Sequence, residues 1–415
     1  MANDNKKYIP ALRFPEFQND GEWKVYTLGH IFSRITEKNT LNNQNVLTIS
    51  AQYGLISQYD YFNKNVAALD VSKYYLVNKG DFAYNKSKSQ GYPYGAIKAL
   101  KLYDLGVVSP IYICFRIKDN QNFSKAFFEY YFESELIHEE INSISQEGAR
   151  NHGLLNISTE DFFAKINLYV PSLTEQFKIA DCFVSIDKEI DATKRKLEQL
   201  KEHKKGLMQK LFPAKGKTLP ELRFPEFQND GEWAYDYGDA LFDSIVNKNH
   251  NSELPILAIT QENGAVPRDM INYRVVVEDK SIEGYKVVDI GDFIISLRTF
   301  QGGIEYSTYK GICSPAYIVL RKKHNNICND FYRHYFKSFQ YIQDLNRNIE
   351  GIRDGKMVSY KQFSEIKIPY PKYEEQCKVA NCLTSLDKEI NAIKDKIMAL
   401  EFHKKGLMQQ LFPKL

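Results

Sequence analysis

Apolar residues recur at steps of four and three positions over two long stretches of the chain. The first register runs through Ile179, Phe183, Ile186, Ile190, Thr193, Leu197, Leu200, Lys204, Leu207 and Leu211. The second runs through Val379, Leu383, Leu386, Ile390, Ile393, Ile397, Leu400, Lys404, Leu407 and Leu411. A heptad repeat sustained this far is typical of coiled-coil helices. We therefore predict two helices that pair with each other in antiparallel orientation, with parallel pairing and homodimerisation as the alternatives.

Each predicted helix spans about 39 residues, which corresponds to roughly 58 Å at the α-helical rise. Pro213 and Pro413 end the two helices. Ser172 and Glu175 predict a capping box at the first start, whereas Lys372 replaces that serine in the second copy. Antiparallel pairing would place the domain that precedes each helix at opposite ends of a rod.

The two helical stretches belong to an internal repeat. The segment LRFPEFQNDGEW at 12–23 recurs unchanged at 222–233, and the stretch 175–213 matches 375–413 closely. The repeat predicts four parts, which are a domain at 1–170, a helix at 171–213, a domain at 214–370 and a helix at 371–415. A duplication that keeps its connectors and rewrites its domains indicates two similar tasks on different targets, and a generic tandem duplication is the alternative.

The rewritten segments keep sparse landmarks in the same order. Gly-Asp-Phe occurs at 80–82 and 291–293, Ser-Pro at 109–110 and 314–315, and Glu-Gly-x-Arg at 147–150 and 350–353. Apolar β-branched runs predict strands at 46–50, 82–85, 107–117, 256–260, 293–297 and 312–321. Helices are predicted at 124–143 and 330–347. Each segment is thus expected to be an α/β domain without regular β-α-β alternation.

Two loops in each domain combine cations, amides and hydroxyls, which are the groups that contact bases and phosphates in DNA. The first loop offers Lys86, Ser87, Lys88, Gln90 and Tyr92, matched in the second domain by Arg298, Thr299 and Gln301. The second loop offers Arg150, Asn151 and His152, matched by Arg353, Asp354 and Lys356. These residues are our candidate DNA-binding set, and ordinary solvated loops are the alternative.

Both helices carry the segment HKKGLMQ near their ends. We predict partner docking there, through His203, Lys204, Lys205, Gly206, His403, Lys404, Lys405 and Gly406. A glycine inside a helix costs about 1 kcal/mol relative to alanine, and close approach by another chain would explain its retention in both copies. The alternative is a solvated last turn whose cations suit the helix C-terminus.

The composition and the cysteines add no sign of catalysis. The net charge is only +3, and the six cysteines show neither a CxxC pair nor zinc-ligand spacing. We expect a cytoplasmic protein without a membrane span, a metal site or catalytic residues. An adenine methyltransferase would need an Asn/Asp-Pro-Pro-aromatic motif, which is absent; Gly351 to Lys356 is one residue short of a phosphate loop, and Glu365 with Lys367 is at most half a nuclease signature. A coiled-coil scaffold that binds no DNA is the third class considered.

The ordered set of repeated motifs resembles the specificity subunits of type I restriction–modification systems, the HsdS family, and most of all its Gram-positive members. The carriers are the LRFPEF–GEW openings, the Gly-Asp-Phe, Ser-Pro-x-Tyr and Glu-Gly-x-Arg landmarks, and the helices from Glu-Gln-x-Lys to HKKGLMQ. The resemblance covers nearly the whole chain.

This resemblance implies two α/β target recognition domains with a pseudo-two-fold repeat, separated by the antiparallel coiled coil. Each domain would read one half of a bipartite double-stranded DNA target. The chain would bind two methyltransferase subunits, which use S-adenosylmethionine to methylate adenine N6, and two restriction subunits, which use ATP and Mg²⁺. The cofactors would belong to those partners, and this chain would itself be non-catalytic.

Overall fold

A computed structural model describes residues 8–50, 53–63, 70–89, 91–118, 122–134, 136–145, 155–250, 253–271, 282–347 and 358–414. The chain forms two compact units that do not follow the chain order. Unit 1 contains Met1–Thr193 together with Lys396–Leu415, and unit 2 contains Lys194–Asp395. Each unit therefore combines residues from both copies of the long helix.

The strands of the first repeat are β1 (Lys24–Thr27), β2 (Phe32–Arg34), β3 (Val46–Ser50), β4 (Gly54–Ser57), β5 (Tyr75–Asn78), β6 (Phe82–Asn85), β7 (Ala96–Ala99), β8 (Leu105–Val108), β9 (Ile113–Ile117) and β10 (Asn167–Val170). Its helices are α1 (Leu28–Ile31), α2 (Gln58–Phe62), α3 (Lys125–Tyr131), α4 (Leu136–Ile144), α5 (Thr159–Lys165) and α6 (Leu173–Leu211). The strands form one four-stranded sheet in the order β2-β9-β6-β7, another in the order β4-β3-β8-β5, and the ladder β1-β10. The pairs are antiparallel except β3–β8.

The strands of the second repeat are β11 (Ala234–Tyr237), β12 (Phe242–Ile245), β13 (Leu257–Thr260), β14 (Gly264–Pro267), β15 (Lys286–Val288), β16 (Phe293–Ile295), β17 (Glu305–Tyr306), β18 (Gly311–Cys313), β19 (Ile318–Lys322) and β20 (Lys367–Tyr370). Its helices are α7 (Gly238–Leu241), α8 (Thr299–Gly302), α9 (Asn329–Tyr335), α10 (Phe339–Arg347), α11 (Tyr360–Ser364) and α12 (Tyr373–Leu411). The sheet β12-β19-β16-β17 and the ladder β11-β20 repeat the topology of their counterparts in the first repeat. The α/β fold and its duplication are thus confirmed.

The prediction of one long strand at 107–117, and of its counterpart at 312–321, was wrong in both repeats. The single strands predicted at 107–117 and 312–321 are each two strands, β8 with β9 and β18 with β19, which belong to different sheets. The chain turns between them at the Ser-Pro landmark, where Tyr112 N donates to Ser109 O at 3.1 Å and Tyr317 N donates to Ser314 O at 3.0 Å. A proline ends strand pairing because it has no N–H to donate.

The helices predicted at 124–143 and 330–347 are also each divided in two. Ser134 N donates to Tyr131 O at 3.1 Å, and Ser338 N donates to Tyr335 O at 2.8 Å. In both repeats the chain therefore leaves the α-helix through a tight turn. A serine stands at the break in each repeat, and serine competes for backbone hydrogen bonds in this way.

The two long helices run antiparallel within each unit. In unit 1, Phe183 stacks on Phe412 at 6.2 Å between ring centroids. Further along, Asp187 forms an ion pair with Lys404, and Glu189 forms one with Lys396. Residue numbers therefore rise along α6 while those of the contacting residues of α12 fall. In unit 2, Asp387 bonds Lys204 and Glu389 bonds Lys196 in the same sense. The antiparallel coiled coil is confirmed.

The constant blocks meet each other inside each unit. Arg13 of the opening segment forms a two-point ion pair with Glu175 at the start of α6, at 2.8 and 2.6 Å. Leu12 N donates to Gln410 O at 2.9 Å, and Trp23 packs edge-on against Phe412. The opening, the start of one helix and the end of the other thus form one structural joint, which explains why all three segments are retained in both copies.

The start of α6 uses only half of the predicted capping box. Glu175 N donates to Ser172 Oγ at 3.4 Å, but the Glu175 carboxylate turns to Arg13 instead of the backbone. In the second copy Lys372 forms an ion pair with Asp230 at 3.1 Å, so the missing serine is replaced by a contact with the opening segment.

Within the part of the chain described above, no helix combines the length and the apolar character that crossing a bilayer requires. Over the same residues, no group of three or more His, Cys, Asp or Glu side chains is placed to hold a metal ion.

Candidate functional site

The Gly-Asp-Phe landmark fixes the strand from which the first candidate loop departs. In unit 1, Asp81 accepts from Asn78 N at 2.8 Å and from the Arg116 guanidinium at 2.9 Å. In unit 2, Asp292 makes two bonds to Arg321, at 2.7 and 2.6 Å. The Asp292 carboxylate also raises the pKa of the Arg321 guanidinium. Each aspartate is buried, so the landmark is a rigid base for β6 or β16 rather than a surface contact.

In unit 1 the first loop emerges from β6 as a short turn. Ser87 and Lys88 are exposed, and Ser89 and Tyr92 exchange backbone hydrogen bonds of 3.2 and 2.9 Å. Tyr92 is half-buried, and its hydroxyl accepts from Lys98 Nζ at 3.4 Å. The turn therefore presents Ser87 and Lys88 to solvent, while Tyr92 is held at its base.

Gly95 closes this turn and admits no larger residue. Its φ is +77°, and an added Cβ would lie 2.2 Å from Asn85 O. Lys86 O accepts from Leu155 N at 3.0 Å, which brings the residue after the second candidate loop beside the first. Gln90, Arg150, Asn151 and His152 lie outside the described residues, so their placement stays a prediction.

In unit 2 the corresponding loop is the short helix α8. Arg298 and Gln301 are exposed, but Thr299 is only 1% exposed and accepts from Ser296 N at 2.7 Å. Thr299 thus shapes the loop from inside, while its two neighbours face solvent. Gly303, with φ +81° and Phe336 O 2.0 Å from an added Cβ, ends the loop. Arg353, Asp354 and Lys356 fall outside the described ranges.

A cleft beside the loops differs in charge between the units, and the charged residues that make the difference are not among the predicted site residues. Lys98 on β7 lies opposite Ala83 of β6, and it forms an ion pair with Glu133 at 2.9 Å. The matching position on β17 holds Glu305, opposite Ile294, and it pairs with Lys337. Burial raises the pKa of Glu305 and lowers that of Lys337. The ion pair is thus kept with its polarity reversed.

The two clefts also differ in size. The cavity beside Lys98 has a volume of about 190 Å³, whereas the cavity beside Glu305 has about 680 Å³. The larger cavity is lined by polar residues from the β13–β14 turn, β17, α9 and the long helices, among them Asn263 and Arg333. An alignment of the two repeats over β7 and β17 places Lys98 opposite Glu305, so the reversal of charge can be seen in the sequence.

The HKKGLMQ segments divide into residues that face the helix pair and residues that face solvent. Lys204 donates to Asp387 at 2.5 Å, and Lys404 donates to Asp187 at 2.7 Å, so both lysines lie in the seam. The exposed residues are His203, Lys205, Gln209, His403, Lys405 and Gln409. Apart from the adjoining backbone of its own helix, no atom of the described residues lies within 4 Å of a Cβ added at Gly206 or Gly406, so packing within the chain does not require either glycine.

A sequence model described as the type I restriction modification DNA specificity domain matches residues 20–202 and again 236–401. The chain is 27% identical over 259 residues to a Methanocaldococcus jannaschii protein named for the type I restriction enzyme MjaX specificity subunit, covering 59% of this chain and 58% of the relative. It is 33% identical over 132 residues to the MjaVIII specificity subunit of the same organism, covering 31% of this chain and 29% of the relative. The alignments thus span less than two thirds of these curated relatives.

Two solved structures share the fold. The S subunit of a type I restriction–modification system from M. genitalium gives a TM-score of 0.55 at 17% identity, covering 98% of this chain and 100% of that one. A chain from a structure on complex assembly and conformational transition of the type I R-M system gives 0.53 at 17% identity, covering 94% and 96%.

Proposed function

Since this chain belongs to the type I restriction–modification DNA specificity family and carries that domain twice, we propose that it reads a bipartite DNA target, one half with each unit. The family is one of DNA sequence recognition rather than of catalysis. The chemistry would reside in two methyltransferase subunits that use S-adenosylmethionine and in two restriction subunits that use ATP and Mg²⁺. This chain would hold both kinds of partner and need no cofactor of its own.

One observation carries the proposal: each unit exposes different polar side chains on an otherwise matched frame. The frame consists of the Asp81–Arg116 pair in unit 1 and the Asp292–Arg321 pair in unit 2. The exposed residues that follow are Ser87 and Lys88 in one unit, and Arg298 and Gln301 in the other. Arginine reads guanine in the major groove and glutamine reads adenine, so rewriting these positions changes the bases that are read.

Partner docking is proposed on the outer face of the helix ends. Lys205 and Lys405 are exposed there, beside Gly206 and Gly406, whose outer side is open. A Cα without a side chain allows another backbone to approach closely. Lys204 and Lys404 do not belong to this docking surface, because each is bonded to an aspartate inside its own unit.

Sequencing of methylated adenines in the genome tests the function directly. With the gene intact, methylation is expected at one two-part motif, and deletion of the gene should remove it entirely. An exchange of 24–170 for the same region of another family member should change one half of the motif and leave the other half. A motif that changes in both halves would contradict independent reading by the two units.

A further inference from the structure

The two long helices differ sharply at two exposed positions. Met398 and Phe402 on α12 are 60% and 79% exposed. The corresponding residues of α6, which lie 200 positions earlier, are Glu198 and Glu202, and both are exposed as well. Within a pair of otherwise closely similar helices, one copy thus carries two apolar side chains where the other carries two carboxylates.

Met398 and Phe402 lie on the face that carries the proposed docking residues. Residues three or four apart are neighbours on a helix surface. Met398 therefore adjoins Phe402, which in turn adjoins Lys405 and Gly406. These four residues, called here the α12 stripe, lie beside the heptad positions and point away from the seam, which agrees with their exposure. The equivalent α6 stripe consists of Glu198, Glu202, Lys205 and Gly206.

The α12 stripe leads into a cavity of unit 1. This cavity has a volume of about 320 Å³, and Lys405 and Gln409 of α12 form one wall while Glu133 and Glu139 form another. Its lining also includes the apolar side chains Leu136, Met408 and Phe412. A partner lying along the stripe would thus contact, in order, the exposed apolar side chains, the open side of Gly406 and the partly apolar lining of the cavity.

The chemistry of the two stripes favours unequal binding of the same partner. Interface cores are enriched in Phe and Met and depleted in Glu. Burial of Met398 and Phe402 against a partner removes apolar surface from water, whereas burial of Glu198 and Glu202 removes charges from water. Identical subunits that dock on both HKKGLMQ segments therefore gain free energy at α12 that they do not gain at α6.

We propose that the two docking sites are inequivalent and that the methyltransferase subunit occupies the α12 stripe first. This inference rests on the proposed function, since it assigns an order to the partner binding proposed there. We expect the dissociation constants of the two sites to differ about tenfold, which corresponds to about 1.4 kcal/mol. At limiting partner concentration the complex would hold one methyltransferase subunit, on α12.

The test is a titration of the full chain with the methyltransferase subunit of the same restriction–modification system, followed by calorimetry and native mass spectrometry. The wild-type chain should show two steps about tenfold apart. Met398→Glu/Phe402→Glu gives α12 the two carboxylates of the α6 stripe and should weaken the α12 site until the two steps merge. The reciprocal variant, Glu198→Met/Glu202→Phe, should produce two equal tight sites. Thermal unfolding should be nearly unchanged in both variants because all four positions are exposed.

Each result supports or overturns a separate statement. Two equal sites in the wild-type chain, or a tenfold ratio that both variants leave intact, would overturn the inequivalence while leaving partner docking in place. A chain that binds no methyltransferase subunit in any variant would overturn the proposed function itself and this inference with it.

Discussion

Arg13 holds Glu175 through two hydrogen bonds, and the two side chains are only 7% and 1% exposed. The same pair recurs as Arg223 with Glu375, at 9% and 1% exposed. An ion pair this deeply placed requires both partners, because the loss of one leaves the other charge without compensation in a poorly solvated site. A substitution of either partner alone is therefore expected to be destabilising, so the sequences of the opening segment and of the helix start constrain each other.

Replacement of Arg13 by alanine should destabilise unit 1 by about 3 kcal/mol, because it leaves the Glu175 carboxylate buried and unpaired. Chemical denaturation measures the loss, with Trp23 as the fluorescent reporter in a Trp233→Phe background. Lys178→Ala removes the exposed pair with Glu16 nearby, and it should have a far smaller effect. Addition of Glu175→Ala to Arg13→Ala should recover part of the stability, and no recovery would argue against the ion pair as the cause.

The sequence predicted those parts of the fold that depend on local pattern. The heptads gave the helices, whose observed bounds of Leu173–Leu211 and Tyr373–Leu411 begin two residues before the matched segments. The strand at Val46–Ser50 was also predicted at its observed position. These signals succeed because periodic apolar residues bury one face whatever the distant partner is.

The parts that failed depend on contacts between distant residues. The strand predicted at 107–117 is divided because its two halves pair with different sheets, which no local pattern specifies. Lys404 was placed in the docking set because of its sequence neighbours, yet Asp187 binds it from more than two hundred positions away. Thr299 likewise has the chemistry of a DNA contact, yet it is only 1% exposed and belongs to α8, which packs against the distant helix α10.

Acid should weaken unit 2 through His334. Burial lowers the pKa of His334 to about 3, and the nearby Lys204 ammonium acts in the same direction. The unfolded chain takes up this proton near pH 6.5. Stability is therefore fully present above about pH 6.5 and is lost as the pH falls toward 3, by up to about 1.4 kcal/mol per pH unit.

Denaturation at pH 7.5 and pH 5.5 checks this dependence, with Trp233 as the reporter in a Trp23→Phe background. His334→Gln retains a group able to bond Thr384, which His334 contacts at 3.0 Å, and it should flatten the pH dependence of unit 2. Tyr130 precedes the end of α3 as His334 precedes the end of α9, so unit 1 lacks this contribution. An equal acid sensitivity of the His334→Gln chain would exclude the histidine as its source.

Alanine at Gly206 or Gly406 should stabilise the free chain and weaken the complex. An added Cβ meets no atom within 4 Å, so the substitution gains about 0.5 to 1 kcal/mol of helix stability without strain. A docked partner backbone would collide with the same methyl group. Thermal unfolding and the partner titration, run on the same two variants, should therefore move in opposite directions, and unchanged binding would remove both glycines from the docking surface.

Adjacent lysines separate seam residues from docking residues. Lys204→Ala should lower the stability of unit 2, since it leaves Asp387 without its 2.5 Å partner, and should leave partner affinity nearly unchanged. Lys205→Ala should lower partner affinity and leave the stability of unit 2 nearly unchanged, because that side chain is exposed. The two single variants serve as each other's controls in unfolding and in titration. A loss of partner affinity confined to Lys204→Ala would restore the seam lysine to the docking surface.

Single substitutions in the two loops should alter different halves of the DNA target. Arg298→Ala removes an exposed guanidinium from unit 2, and the loss of one good base contact costs about 1 to 3 kcal/mol, which is about fivefold to about 150-fold in affinity. Lys86→Ala, which removes the half-buried ammonium at the matching loop position, is the counterpart in unit 1. Binding of the assembled complex to DNA libraries, randomised in one half-site at a time, shows which half loses its preference.

Thr299→Ser is the matched control for Arg298→Ala, because it keeps the hydroxyl that accepts from Ser296 N and changes no exposed group. This control should leave the preference of both half-sites intact. If Arg298→Ala instead weakened binding uniformly across all sequences, the side chain would contact phosphate rather than a base, since phosphate contacts position the protein without carrying sequence information. If both half-sites lost preference together, the two units would not read DNA independently.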